Sequence, residues 1–283
     1  MREIYGNLTE NLDSRISDFR KGIKRGIKSG LKLLDQGTGG FMPGRLYIVG
    51  ARTSVGKTTL AVNFSASATA ANKQVFFCTN EMSADEIGEK YLSCVAGVVG
   101  SKITEGSITD EEGLKLLAAI QLTVDRKLFI DEKSGLFLEN FTRECHRLKR
   151  LGRVDLIILD YIQQMRTSEI KSQEKNPQLT HISGSLKTLA RDLNVPVIAL
   201  AQLNREYEKD KSTVPSLFHI KDCGAIEQDA DVGILLFREE LKCSGAPGEF
   251  QYFINVAKNR FGKVGVIPIK TDLPVNRFLD GDF

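Results

Sequence analysis

The segment GARTSVGKT at positions 50–58 constrains this chain more than any other part of its sequence. It fits G-x-x-x-x-G-K-[ST], the pattern of a loop that wraps around phosphate groups. An apolar run at 46–49 precedes the loop, and an Ala- and Leu-rich stretch with helical spacing follows it at 57–71. The sequence therefore predicts a buried strand, a phosphate-binding loop and a helix, in that order.

The loop predicts its own chemistry. Its glycines let backbone N–H groups curl around a triphosphate, and the helix N-terminus adds partial positive charge. We expect Lys57 to reach the β- and γ-phosphates and Thr58 to bind Mg²⁺. The candidate nucleotide-binding residues are Gly50, Ala51, Arg52, Thr53, Ser54, Val55, Gly56, Lys57, Thr58 and Thr59. An ordinary glycine-rich turn between strand and helix is the alternative interpretation.

Composition limits the function classes. The 283 residues are 41% hydrophobic and 27% charged, as in soluble globular chains, and the net charge is only +3. Any contact with DNA must therefore come from local patches. Cysteines stand at 78, 94, 145, 223 and 243 without zinc-site spacing, and Cys78 and Cys145 are predicted to be buried thiols. With no bilayer-spanning run and no signal peptide, a reducing cytoplasm and no membrane contact are expected.

Residues 1–28 are predicted to form an arm outside the main domain at 29–283. A stripe of apolar side chains at helical spacing favours an amphipathic helix in this arm. The stripe consists of Leu8, Leu12, Ile16, Phe19 and Ile23. Packing on its own domain and docking on a neighbouring subunit are both open for this face.

The rest of the chain alternates strand and helix patterns. Strands are predicted at 46–49, 75–78, 128–131, 156–160, 197–201, 232–237, 250–257 and 264–270. A helix is predicted to begin after Ser83, which forms a capping box with Glu86. Further helical patterns cover 100–125, 138–151 and 179–193. Polar loops are expected at 166–178 and 204–228. This alternation predicts an α/β fold with a mostly parallel central sheet flanked by helices.

Carboxylates follow two of the predicted strands. Asp160 ends an apolar strand about a hundred residues after the phosphate loop, where NTPases place the acid that holds Mg²⁺ through water. Glu81 lies just past the second strand, where ligands of open α/β sheets bind, and a carboxylate there can deprotonate an attacking water. A helix cap for Asp160 and a solvated loop acid for Glu81 are the alternatives.

Polar residues also follow two later strands. Gln202 ends the fifth strand, where an amide can contact the γ-phosphate, although a solvated glutamine fits as well. Lys258 and Arg260 follow the strand at 250–257 beside a glycine turn. They fit either a solvated hairpin tip or cationic fingers that enter a neighbour's nucleotide site.

Together these stretches resemble the C-terminal ATPase domain of the DnaB-type replicative helicases, which has a RecA-like core of the P-loop NTPase class. The matching stretches are GARTSVGKT at 50–58, NEMS at 80–83, DLIILDYIQQM at 155–165, SLKTLARDLNVPVIALAQLNR at 185–205, KDCGAIEQDADV at 221–232 and AKNRFG at 257–262. They follow the family's order and cover most of residues 29–270.

The resemblance implies a hexameric ring that hydrolyses ATP with Mg²⁺ and moves 5′ to 3′ on single-stranded DNA. It implies that Glu81 is the catalytic carboxylate, Gln202 the γ-phosphate sensor, and Arg260 with Lys258 the finger that acts in trans. The DNA-binding residues that it implies are Lys171, Lys175, Lys221, Asp222 and Gly224. A primase and a helicase loader are the further partners implied.

The sequence also departs from the family. The large N-terminal helical domain is not found in these 283 residues, as expected for a phage or mobile-element form or a trimmed chain. Lys221 and Cys223 stand where Arg and Ser are common, and a lysine meets a phosphate as a point charge without the guanidinium fork. A recombination or repair ATPase with a RecA-like core, and a nucleotide-gated loader subunit, are the alternative functions.

Overall fold

The computed structural model describes residues 16–17, 26–124, 127–132, 136–170, 175–204, 214–220, 224–241 and 249–281. Its strands are β1 (Leu46–Ala51), β2 (Val75–Thr79), β3 (Leu128–Glu132), β4 (Leu156–Asp160), β5 (Val197–Gln202), β6 (Val232–Glu240), β7 (Phe250–Asn259), β8 (Gly265–Asp272) and β9 (Arg277–Asp280). Its helices are α1 (Lys32–Thr38), α2 (Lys57–Ala70), α3 (Ala84–Ala96), α4 (Gly100–Glu105), α5 (Asp110–Val124), α6 (Leu138–Arg150), α7 (Lys175–Leu193) and α8 (Gly224–Asp229).

One nine-stranded sheet runs in the order β3-β2-β4-β5-β1-β6-β7-β8-β9. All pairs from β3 to β6 are parallel, and β6 to β9 pair antiparallel. This confirms the predicted mostly parallel sheet. The register sets Thr79 opposite Asp160 and Ala51 opposite Gln202, so four strand ends meet at one edge. Ligands of parallel α/β sheets bind at this edge.

Two hydrophobic layers cover the two faces of the sheet. Because side chains alternate along a strand, Tyr47 and Val49 of β1 pack in the layer that contains α2 and α3. Leu46 and Ile48 pack in the opposite layer, with α6 and α7. Helices therefore flank both faces, as predicted. Cys78 and Cys145 are fully buried, which confirms the prediction for these thiols, and burial raises the pKa of Cys145.

Three of the predicted boundaries were wrong. The helical pattern at 100–125 forms two helices, α4 and α5. The loop expected at 166–178 ends earlier, because α7 already begins at Lys175. Within the loop expected at 204–228, the chain forms a short 3-10 turn at Leu217–His219 and the helix α8. A ninth strand, β9, follows the last predicted one.

The division into an arm at 1–28 and a domain at 29–283 stays a prediction, because residues 1–25 lie outside the described residues except for 16–17. At the junction, Ile27 pairs with Phe41 through backbone hydrogen bonds of 3.0 and 2.7 Å and is buried. Within the described ranges, no helix combines the length and the apolar character needed to cross a membrane.

Candidate nucleotide-binding site

The loop between β1 and α2 has the geometry of an anion cradle. At Gly50, near the end of β1, a Cβ would lie 2.6 Å from Leu235 Cδ2, so a larger residue would displace that buried side chain. Ser54 and Gly56 have φ angles of 63° and 106°, so the chain turns through left-handed conformations before α2. No side chain caps the N-terminus of α2 at Gly56. The first backbone N–H groups of α2 therefore remain available for an anionic ligand.

Lys57 and Thr58, the first residues of α2, meet two carboxylates from neighbouring strands. Lys57 Nζ lies 2.9 Å from Asp160 Oδ1 and 3.3 Å from Glu81 Oε2. Thr58 Oγ1 donates a 2.6 Å hydrogen bond to Asp160 Oδ2. The Asp160 side chain is fully buried, whereas that of Glu81 is 44% exposed. The structure thus brings together these four predicted residues, with Glu81 open to water.

Glu81 is held in place by the turn that leads to α3. Its backbone N–H and that of Met82 donate to Thr79 Oγ1 at 3.3 and 3.1 Å. Ser83 then caps α3 through the predicted capping box with Glu86, which is confirmed. Hydrogen bonds from the Ser83 backbone and side chain lower the pKa of Glu86.

Gln202 also reaches the phosphate loop. Its Nε2 donates to Thr53 Oγ1 at 2.7 Å. The Gln163 side chain makes two hydrogen bonds with the Gln202 backbone. Its Nε2 donates to Gln202 O at 3.0 Å, and its Oε1 accepts from Gln202 N at 3.1 Å. Gln163 was not among the residues predicted from the sequence. Arg52 is directed to the same strand end, where its Nη1 donates to Leu203 O at 2.8 Å.

A cavity of about 420 Å³ opens at these residues, within the usual range for small-molecule sites. Four residues of its wall were not predicted from the sequence, namely Met82, Lys90, Leu273 and Asn276. Asn276 follows the turn Leu273–Val275, and its carbonyl accepts a 2.7 Å hydrogen bond from Asn63 on α2. The turn between β8 and β9 therefore closes one side of the loop.

Lys258 and Arg260 do not line this cavity. Both lie at the C-terminal end of α8, where cations are favourable because backbone carbonyls lack helical partners. Lys258 Nζ donates to the carbonyls of Glu227 and Gln228, and Arg260 Nη2 donates to that of Gln228. Burial and the nearby charge of Arg260 lower the pKa of Lys258. β7 runs to Asn259, two residues past the predicted end at 257, so Lys258 lies within the strand and only Arg260 follows it.

Of the predicted DNA-binding residues, Lys171, Lys221 and Asp222 lie outside the described residues. Gly224 begins the helix α8, which corrects its placement in a loop, and Lys175 begins α7. The helix α7 thus starts shortly after Lys171, and α8 starts shortly after Lys221 and Asp222, in the sequence.

The first residues of the loop after β4 are anchored by Glu139 of α6. Glu139 Oε1 accepts hydrogen bonds from Thr167 Oγ1 at 2.8 Å, from Ser168 N at 2.8 Å and from Ser168 Oγ at 3.0 Å. Partial burial by itself would raise the pKa of Glu139, but the hydrogen bonds to its carboxylate lower that pKa to about 2. Glu139 is another residue that the sequence analysis missed.

Together the cradle, Lys57, Thr58, the buried Asp160 at a neighbouring strand end and the sheet order define a P-loop NTPase with a RecA-like fold. The chain belongs to the family described as the DnaB-like helicase C terminal domain, which matches residues 26–280. It is 33% identical over 262 residues to "Replicative DNA helicase DnaB" of Geobacillus stearothermophilus, covering 92% of this chain and 58% of that protein. For the protein of that name from Leifsonia xyli, the values are 33% identity, 98% of this chain and 62% of the relative.

Solved structures agree with this assignment. The chain aligns with the "ATPase Domain of G40P" at a TM-score of 0.88 and 25% identity, covering 97% of this chain and 99% of that one. A DnaB-like replicative helicase described with its primase interactions aligns at a TM-score of 0.86 and 25% identity. The alignment covers 96% of this chain and 66% of that one. The chain thus spans about three-fifths of the curated relatives it matches.

Proposed function

We propose that this chain is the motor domain of a replicative DNA helicase, which uses ATP hydrolysis to move 5′ to 3′ on single-stranded DNA and to unwind the duplex. One observation carries the proposal: in a chain of this family, Lys57, Thr58, Asp160 and Glu81 converge at the ligand-binding edge of the sheet. Relatives named replicative DNA helicases support the same conclusion.

The α2 N-terminus and Lys57 would bind the phosphates of ATP. Thr58 and Asp160 would hold Mg²⁺, since a hydroxyl and a buried carboxylate 2.6 Å apart are the hard oxygen donors that this ion prefers. When bound, Mg²⁺ neutralises charge that develops on the phosphate oxygens. Glu81 is open to solvent and would orient and deprotonate the water molecule that attacks the γ-phosphate. Gln202, which touches the loop through Thr53, would sense the γ-phosphate.

We further propose that six copies form a ring with ATP between subunits. Lys57 already supplies a cation inside the chain, whereas Arg260 lies on another part of the fold with its side chain 45% exposed. Arg260, supported by Lys258, would therefore act on the nucleotide of an adjacent subunit, where such fingers are worth about 10³–10⁵ in rate.

Single-stranded DNA would contact the segments before α7 and α8 through Lys171, Lys175, Lys221, Asp222 and the backbone at Gly224. These contacts go to phosphates, so binding would be independent of sequence and sensitive to salt. The related helicase described with primase supports a primase partner, and a loader is a further proposed partner. The cytoplasm, where DNA is replicated, is the proposed location.

A strand-displacement assay tests the proposal. Duplexes with a single-stranded tail at either the 5′ or the 3′ end are incubated with and without ATP and Mg²⁺. We expect ATP-dependent unwinding from the 5′ tail, and none with Lys57→Ala or Glu81→Gln. ATP-dependent coating of DNA without displacement on either substrate would refute helicase activity and favour a recombination-type ATPase.

A further inference from the structure

Asp231, between α8 and β6, is a carboxylate with only 2% of its side chain exposed and lies outside the nucleotide cavity. Its Oδ2 accepts hydrogen bonds from Leu46 N at 2.8 Å and from Lys187 Nζ of α7. Its Oδ1 lies 3.6 Å from Arg260 Nη1, and its backbone carbonyl accepts from Arg260 N at 2.9 Å. Asp231 therefore joins the start of β1, the helix α7 and the end of β7.

These contacts fix Arg260 from its inner side. Nη1 faces Asp231, and Nη2 donates to the Gln228 carbonyl at the end of α8. A guanidinium carries five N–H donors in a rigid fork, so two contacts leave donors for a phosphate on the exposed side. An unrestrained arginine would lose side-chain conformational entropy on being ordered. Partners within the chain reduce this loss before the nucleotide is met.

We propose that Asp231 is the positioning residue of the trans-acting finger: it holds Arg260 in the orientation that reaches the nucleotide of the adjacent subunit. This inference rests on the proposed function, in which Arg260 acts in trans. Through Lys187, Asp231 also ties the finger to α7, which begins directly after a proposed DNA-contacting segment. Asp231 also contacts the strand that leads to the phosphate loop, through Leu46 N, so the experiment must separate an effect on the finger from an effect on the loop.

The variant must avoid leaving a buried charge without a partner. Asp231→Asn alone would leave the ammonium of Lys187 without its carboxylate partner. The Lys187 side chain is only 20% exposed, and an unpaired buried charge destabilises the fold. The double variant Asp231→Asn/Lys187→Met removes both charges and leaves Arg260 in place. Cooperative thermal unfolding and parent-like assembly would establish that it folds. We expect its ATP turnover to fall about 10–100-fold, as for a displaced catalytic group, with ATP-analogue affinity within about 2-fold of the parent's.

Mixed assemblies distinguish the finger from the phosphate loop. The reference mixture of Arg260→Ala with Lys57→Ala should regain ATPase activity, because some interfaces pair an intact loop with an intact finger. The double variant mixed with Lys57→Ala should regain activity to a similar extent, because Lys57→Ala supplies a working finger. The double variant mixed with Arg260→Ala should show no more activity than the double variant alone, because neither subunit supplies a correctly oriented finger.

Each other outcome overturns the inference. Recovery with Arg260→Ala but not with Lys57→Ala would assign Asp231 to the phosphate loop. Recovery with neither, while the reference mixture recovers, would mean that Asp231 only supports the subunit fold. Parent-like turnover of the double variant would mean that Arg260 needs no such support. Failure of the reference mixture despite co-assembly would reject trans action by Arg260 itself, and with it the role of Asp231.

Discussion

Thr58 Oγ1 and Asp160 Oδ2 are joined by a 2.6 Å hydrogen bond across 102 positions of the sequence. The bond links the first turn of α2 to the end of β4. It sets Thr58, the proposed Mg²⁺ ligand, beside Asp160, which is proposed to hold the ion through water. Outer-sphere partners of this kind typically contribute 10–100-fold in metal affinity. Asp160→Asn should therefore raise the Mg²⁺ concentration for half-maximal ATPase activity by about 10–100-fold. Asp155→Asn, just before β4, should not, and equal Mg²⁺ curves for both variants would contradict the assignment.

Substitutions at Lys57 and Glu81 should have different effects, the first on nucleotide binding and the second on hydrolysis. Lys57→Ala removes the cation of the phosphate loop, so ATP affinity should fall by at least about 10-fold. Glu81→Gln retains shape and removes the base, so turnover should fall by about 10²–10⁴-fold while affinity stays near the parent's. Equilibrium binding and steady-state ATPase assays measure the two effects. The exposed Glu105→Gln controls for loss of a negative charge, and parent-like hydrolysis by Glu81→Gln would exclude Glu81 as the base.

Glu139 should make stability depend on acid pH. Its pKa is lowered to about 2 in the folded chain, against about 4.3 in an unfolded one. Its stabilising effect is therefore present above about pH 4.3 and is lost as the pH falls toward 2. Glu139→Gln should lower Tm at pH 6 by on the order of 2–4 °C, and the difference from the parent should shrink through this window. A difference that is constant with pH would mean that the carboxylate charge does not matter.

The convergence of the candidate site residues could be predicted from the sequence, because each of them stands in a local sequence signal. The phosphate loop is one continuous motif, and Asp160, Glu81 and Gln202 each follow an apolar run that must be a strand. Because parallel strands end at one edge, their meeting follows from topology alone. The wall formed by Asn276 had no such signal, since its contact with Asn63 spans 213 positions and exists only through tertiary packing.

The missed boundaries have local causes. The first turn of α7, at residues 175–178, contains no large apolar side chain, so helical periodicity begins only at Leu179. Pro177 is tolerated there because the first turn needs no N–H donor from it. The six-residue helix α8 begins with a glycine and is too short for a periodic pattern, and the contacts of its C-terminal carbonyls with Lys258 and Arg260 help to fix it.

Lys221 should contribute a phosphate contact with DNA. Replacing it with alanine should weaken binding to oligonucleotides of any sequence and reduce the slope of log K against log[salt] by about one. Lys73→Ala is a matched control, because Lys73 precedes β2 at the opposite edge of the sheet. Fluorescence anisotropy on several sequences over a range of salt measures both quantities. A changed base preference with an unaltered slope would argue for base contacts instead.

The N-terminal stripe should dock on an adjacent subunit. Of this segment the structure describes residues 16–17, which are helical, and Ile16 is 40% exposed within the single chain. Burying a large apolar side chain is worth roughly 1.5–3 kcal/mol, so loss of Leu8, Leu12, Ile16 and Phe19 should shift the assembly equilibrium strongly. Deleting residues 1–25, or replacing these four residues with serine, should reduce the number of subunits in the assembly. Light scattering in the presence of a non-hydrolysable ATP analogue measures the mass of the assembly. Alanine at Asn7 and Asn11, outside the stripe, should leave the mass unchanged, whereas an unchanged oligomer in the serine variant would place the stripe on its own domain.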